Sequence, residues 1–240
     1  MLLVTFDSNV WRPVSSPNRF PKDRDFVSFE IIHKALQTGK IGGRLSETVF
    51  TLEAIECGAR KSFFENYPRT AHPGNNPYLS SHWADALALG FRLMRCPRVQ
   101  NVKNLDLNDE WFDSTSTVDS LTRASRFGEV SRKIVAAGAG YAAVQQISAR
   151  YSSVSVPWHF VLDAVPPSEI NAFAKAVAEW ADGDAVAAHI SYGNHFFCTR
   201  DIGKSAGSSS VFSPSNRAWL ERDYGIVFVK PEELVSQLSL

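Results

Sequence analysis

The chain opens on a short run of strand character, "LLVTF", that stops at Asp7. After a proline-rich loop from Arg12 to Pro21, "DFVSFEIIHKALQTGKI" puts Phe29, Ile32, Ala35 and Leu36 at helical spacing, with Gly39 as the stop. "GGRLSETVFTLEAIECGARKSFF" reads as a Gly42–Gly43 turn and a helix entered through Ser46 or Thr48. Its apolar positions are Val49, Leu52, Ala54 and Ile55, accompanied by acids at Glu47, Glu53 and Glu56. "PRTAHPGNNPYLSS" has the composition of a loop, Leu87 to Leu93 reads as helix, and "RVQNVKNLDL" has strand character. The segment from Val118 to Tyr151 is mostly helical, with interruptions at Gly138 and Gly140.

The last third is sharper. In "PPSEINAFAKAVAEWA" a proline pair and a Ser cap precede Ile170, Phe173, Val177 and Trp180 on one face. "DGDAVAAHISYG" reads as a turn and a second helix stopped by Gly193, and "HFFCTRD" as a strand running into Asp201. A Gly/Ser-rich loop, the helix "SPSNRAWLERDYG", the strand "IVFV" and the helix "KPEELVSQL" close the chain. Strands alternating with helices predict an α/β fold: a three-layer α/β/α arrangement around a central, mostly parallel sheet.

Composition narrows this picture. With 240 residues, 44% apolar and 21% charged, the chain has enough apolar content for a core, and its length predicts one domain, or one domain with a large insertion. Twenty-five basic residues balance 25 acidic ones, so any attraction to nucleic acid must be local. Cys57, Cys96 and Cys198 are far apart, which argues against a disulfide framework or a structural zinc site and fits a reducing cytoplasm. No run approaches the roughly 18 apolar residues of a membrane span, so no membrane partner is expected.

In an open parallel sheet, ligands sit beyond the carboxyl ends of the strands. Two predicted strands lead to acids at that edge, Asp7 and Asp201. A third acid, Asp182 or Asp184, starts the helix before the second of them. Glu53 lies in the early turns of the helix after the glycine pair. Taken singly, each has a plainer role: Asp7 as a turn residue, Glu47 as a first-turn acid favoured by the helix dipole, Asp182 or Asp184 as a cap. Gathered in one cleft they would repel strongly, and a hard cation bound through oxygen, Mg²⁺ or Mn²⁺, would relieve that repulsion. Between the two candidates for the third acid, Asp184 is slightly favoured, because Gly183 would sit poorly inside a helix.

The segments "FDSNVW", "SETVFTLEAI", "DGDAVAAHISYG", "FFCTRD" and "YGIVFVKPEEL", in that order, resemble the PIN-domain family of metal-dependent ribonucleases. The resemblance spans roughly residues 1–60 and 165–240, with about 62–160 as a divergent or inserted region in a single PIN-like domain of residues 1–240. It implies a cleft of acids holding Mg²⁺ or Mn²⁺, single-stranded RNA as substrate, a homodimer and, for toxin-type members, an antitoxin protein partner. Carried over by position, Asp7, Glu53, Asp184 (or Asp182) and Asp201 are the expected catalytic acids and metal ligands. Asn9, Thr199 and Arg200 are the expected supporting or substrate-contacting residues.

The inserted region offers two basic groups, Arg92, Arg95, Arg98 and Lys103, then Arg123, Arg126, Arg132 and Lys133, readable as solvated faces or as a phosphate-tracking surface. Trp158 reads as core or as a stacking surface with His159, and His189 as a partly buried polar tip or a proton shuttle. Two other functions compete. A haloacid-dehalogenase-type phosphatase also starts from a strand ending in Asp, but needs a second Asp where Asn9 stands. A non-catalytic PIN-like domain would bind RNA or protein without cutting.

Overall fold

The computed structural model describes residues 1–50, 77–97, 108–151, 164–203 and 207–238. Among these, five strands and eight α-helices follow one another as β1 (Leu2–Phe6), α1 (Ser8–Ser15), α2 (Phe26–Gln37), β2 (Ile41–Ser46), α3 (Pro77–Ala88), β3 (Arg92–Met94), α4 (Ser120–Ala136), α5 (Tyr141–Tyr151), α6 (Ile170–Tyr192), β4 (Phe196–Cys198), α7 (Pro214–Tyr224), β5 (Phe228–Val229) and α8 (Pro231–Leu238). The strands are all parallel and ordered β3-β2-β1-β4-β5. The chain builds outward from β1 on one side, then crosses back to build the other. That reversal opens a crevice beside the carboxyl end of β1.

Strand side chains alternate between two apolar layers, as period-2 geometry requires. Val4, Phe6, Leu45, Leu93 and Cys198 pack with Trp11, Phe29, Ile32, Trp83 and Leu234 from α1, α2, α3 and α8. Met94 and Phe197 pack on the opposite face with Phe127, Ile134, Val144, Phe173 and Val186 from α4, α5 and α6. The architecture is therefore three-layer α/β/α, as the alternation of elements predicted.

Locally, the structure differs from the expectations in several places. Gly42 and Gly43 lie within β2 rather than in a turn. A Cβ on Gly43 would meet the Phe91 ring at 2.7 Å, so glycine here answers a close approach across the sheet, not a bend. Where a helix is expected from Ser46 or Thr48, Ser46 ends β2 and Glu47–Phe50 form a 3-10 turn; Leu52 to Ile55 lie outside the described residues. Residues 77–81, assigned to a loop, open α3, while Leu87 to Leu93 straddles the end of that helix and the start of β3. The break falls at Gly90, whose φ of 84° suits glycine.

α6 is one continuous helix of 23 residues that passes through Asp182, Gly183 and Asp184. Gly183 faces the residue just before α5: a Cβ on it would stand 3.0 Å from Gly140 Cα. Asp182 and Asp184 are therefore interior helical residues, not caps. Ser168 is no cap either, since Glu169 holds the N-cap position without a side-chain bond. The strand expected at residues 98–107 and the pair Trp158–His159 lie outside the described residues, as do Arg98 and Lys103.

Candidate active site

Asp7 follows β1 directly and caps α1, its Oδ1 accepting from the Ser8 amide at 2.7 Å. Its Oδ2 accepts from Asn9 Nδ2 at 2.7 Å and from Thr199 Oγ1 at 2.5 Å. The pairing of Phe6 with Cys198 sets this up, because the next residues of the two parallel strands, Asp7 and Thr199, then stand side by side. Thr199 Oγ1 also accepts from the Asp201 amide at 2.9 Å, turning the chain so that the charges of Asp7 and Asp201 interact. Burial, with a smaller contribution from Asp201, pushes the Asp7 carboxyl above its ordinary range despite three hydrogen bonds that favour the anion.

The same network holds Arg200. Its amide donates to Asn9 Oδ1 at 3.1 Å and its Nη2 to the Asn9 carbonyl at 2.6 Å. Nη1 bonds both oxygens of Asp23, at 3.0 and 2.9 Å, and reaches Asp25 at 3.5 Å. The guanidinium thus ties the loop before α2 to the Asn9 end of the site. Asp7, Asn9, Thr199, Arg200 and Asp201, chosen from two ends of the sequence, form one connected cluster.

A second acidic pair stands at the same sheet edge. α6 runs back across the sheet with His189 Nδ1 hydrogen-bonded to Thr5 Oγ1 at 2.8 Å. Asp184 lies about 7.5 Å back along the helix from that contact, and Asp7 about 6.6 Å forward along β1, so the two are carried to one level. Asp184 is fully buried, its Oδ2 accepting from Trp180 Nε1 at 2.9 Å. Asp182 lies about 200° around the helix and is half-buried.

Among the described residues, the acid whose charge interacts with that of Asp184 is Glu47; the expected Glu53 lies outside them. Glu47 directly follows β2, as Asp7 follows β1, and is only 5% exposed. Its Oε1 accepts from the Cys96 amide beyond β3. Burial pushes its pKa to about 7, with Asp184 adding to the rise and the Cys96 amide and Arg95 opposing it. The signal for Glu47 was in the sequence: "RLSE" repeats the pattern of "VTFD", a strand stopping on an acid. The glycine pair hid the strand and so hid the acid.

Glu179, also unanticipated, lies five residues before Asp184 on α6. Its pKa is raised by burial, opposed by a hydrogen bond from Ser210, with Asp201 adding to the rise. His189 is buried, hydrogen-bonded to Thr5 and packed edge-on to Phe197, with its pKa lowered to about 3 by burial, which keeps the ring neutral.

The described acids form two pairs, Asp7 with Asp201 and Glu47 with Asp184. Among the described residues no group of three or more acids, histidines or cysteines is arranged to hold a metal ion. All-oxygen pairs nevertheless suit Mg²⁺ or Mn²⁺, since Mg²⁺ is commonly held by one or two carboxylates, the rest of its sphere being water and substrate phosphate. Burial is the main reason the Asp7 and Glu47 carboxyls are raised, and a bound cation would favour their charged forms. No helix among the described residues is long and apolar enough to cross a membrane. No family model, curated protein or solved structure matches the chain.

Proposed function

We propose that this protein is a Mg²⁺- or Mn²⁺-dependent endoribonuclease of the PIN type acting on single-stranded RNA. The observation that carries the reading is Asp7, just after β1 and bridged by Thr199 to Asp201, with a second acid pair, Glu47 and Asp184, beside the end of the neighbouring strand β2, in a parallel sheet whose strand order reverses at β1. Asp7 and Asp201 would hold one ion, and Glu47 with Asp184 would contribute to it or to a second. The bound cation would supply positive charge to the phosphodiester and acidify a water. Asn9, Ser8 and Thr199 fix the Asp7 carboxylate in one orientation, so that little reorganisation is needed on binding.

The alternative of a covalent aspartyl phosphatase finds less support. Both Asp7 oxygens are engaged by donors, and Asn9 donates to Asp7 where that chemistry needs an acid. The basic surface for an RNA strand would come from the neighbourhood of Arg95 and Arg123, which lie over the Phe112 and Tyr192 rings at 3.9 and 4.8 Å. An RNA substrate, a homodimer and an antitoxin partner all belong to this proposal.

The test is incubation of labelled single-stranded RNA with the protein and Mn²⁺, beside the same reaction in EDTA. Cleavage that needs the metal and disappears in Asp7→Asn and Asp184→Asn supports the proposal. Metal-independent cleavage, or retention of activity in both variants, would overturn it. Mn²⁺ and RNA binding without any cleavage would favour the non-catalytic alternative.

A further inference from the structure

The turn that carries Asp201 is seated on the start of α7 by two contacts. Gly203 takes a φ of 70° and packs so closely on that helix start that a Cβ would lie 2.6 Å from the Ser213 amide nitrogen. Asp201 Oδ1 accepts from the Gly203 amide at 2.7 Å, which closes the turn on itself. The second contact is Arg217, in the first turns of α7, whose Nη2 donates to the Asp201 carbonyl at 2.6 Å.

Arg217 is itself held from several sides. Its guanidinium lies 4.7 Å from the Phe228 ring centroid and 5.9 Å from that of Phe212. Its amide is anchored to the Ser213 carbonyl at 2.9 Å within the helix. Nε is buried without a hydrogen-bond partner among the described residues. The carboxylates whose charges reach it are Glu221, Asp201, Glu233 and Asp7, so it brings a cation to the Asp7–Asp201 pair. A side chain that leaves a donor buried and unpaired, yet spends its other end on one main-chain carbonyl, is fixed by its surroundings rather than by its own hydrogen-bonding needs.

We propose that Arg217 is a positioning residue for Asp201: it clamps the Thr199–Gly203 turn through the Asp201 carbonyl and so holds the Asp201 carboxylate facing Asp7. Its role in catalysis rests on the ribonuclease reading, but the clamp does not. Arg200, the other arginine of the cluster, holds the Asn9 end in the same way through Asp23. The two halves of the acid pair are thus secured by separate arginines. A rigid turn matters because two like charges side by side push their carriers apart unless the backbone resists.

The experiment is amide hydrogen exchange on the metal-free full chain, parent against Arg217→Gln and Arg217→Lys. In Arg217→Gln the Asp201 and Gly203 amides should exchange at least about tenfold faster while those of β1 and α2 stay at parental rates. Arg217→Lys, which keeps a donor and a charge, should lie closer to the parent. Unchanged exchange at Asp201 and Gly203, or equal acceleration throughout the chain, would overturn the clamp. As a second readout, kcat for RNA cleavage should fall in Arg217→Gln with KM unchanged. A raised KM at unchanged kcat would instead make Arg217 a substrate contact and refute the positioning role. If the parent cuts no RNA, the ribonuclease reading fails while the exchange result still decides the clamp.

Discussion

Glu47 gives the sharpest quantitative expectation, because its carboxyl is buried beside another acid and its pKa rises to about 7 although the Cys96 amide and Arg95 oppose the rise. A shift from 4.5 to about 7, at about 1.36 kcal/mol per pH unit, corresponds to about 3 kcal/mol. The sign follows from which state binds the proton. Between pH 4.5 and about 7 the folded protein keeps Glu47 protonated while the unfolded chain releases it. Stability therefore falls as pH rises through that window, and the full loss is reached above the folded pKa. Replacement by Gln keeps the carbonyl oxygen that accepts from Cys96 and removes the titration. In EDTA, urea unfolding of Glu47→Gln should match the parent near pH 4.5 and exceed it by up to about 3 kcal/mol near pH 8. Adding Mn²⁺ should stabilise the parent at pH 8 more than the variant, since the ion would take the place of the proton. A variant-minus-parent difference that does not change between the two pH values would refute the reasoning, because the buried carboxyl would then not be the source.

Other expectations follow from the same geometry. Asp7→Asn and Asp201→Asn should abolish metal-dependent cleavage while circular dichroism and the urea midpoint stay near parental values; a folded variant that cuts normally would remove the acid pair from the site. Thr199→Val deletes the hydroxyl that joins Asp7 Oδ2 to the Asp201 amide, and should lower kcat about tenfold or more, measured at saturating Mn²⁺. Arg44→Ala should destabilise by about 3–5 kcal/mol in chemical unfolding, because it strands Asp113, 1% exposed at its side chain and paired with Arg44 at 2.8 Å. Gly43→Ala should cost about 1–3 kcal/mol through its collision with Phe91, and Phe91→Leu in the same chain should recover part of it.

Local signals were enough to place Asp7, Asn9, Thr199 and Asp201, because each sits within three residues of the end of a strand, β1 or β4, whose apolar run is legible in the sequence. The helices α2, α7 and α8 were readable for the same kind of reason, since apolar spacing and the glycine stops at Gly39 and Gly225 are written into adjacent residues. The glycines inside elements were not readable. Gly43 and Gly183 look like breaks in one dimension, yet each faces a distant segment, Phe91 or Gly140, close enough to crowd a Cβ.

The sequence by itself determined the alternating α/β order, the layered class and the strand-end acids, since these depend on periodicity and on neighbours along the chain. Only the tertiary structure decided that β2 ends on Glu47, that Asp184 rather than Asp182 is buried beside it, and that Arg200 and Arg217 secure the two ends of the Asp7 site. Those pairings join residues up to two hundred positions apart. What selects them is how strands register and how far a helix runs back over the sheet, which no short window of residues contains.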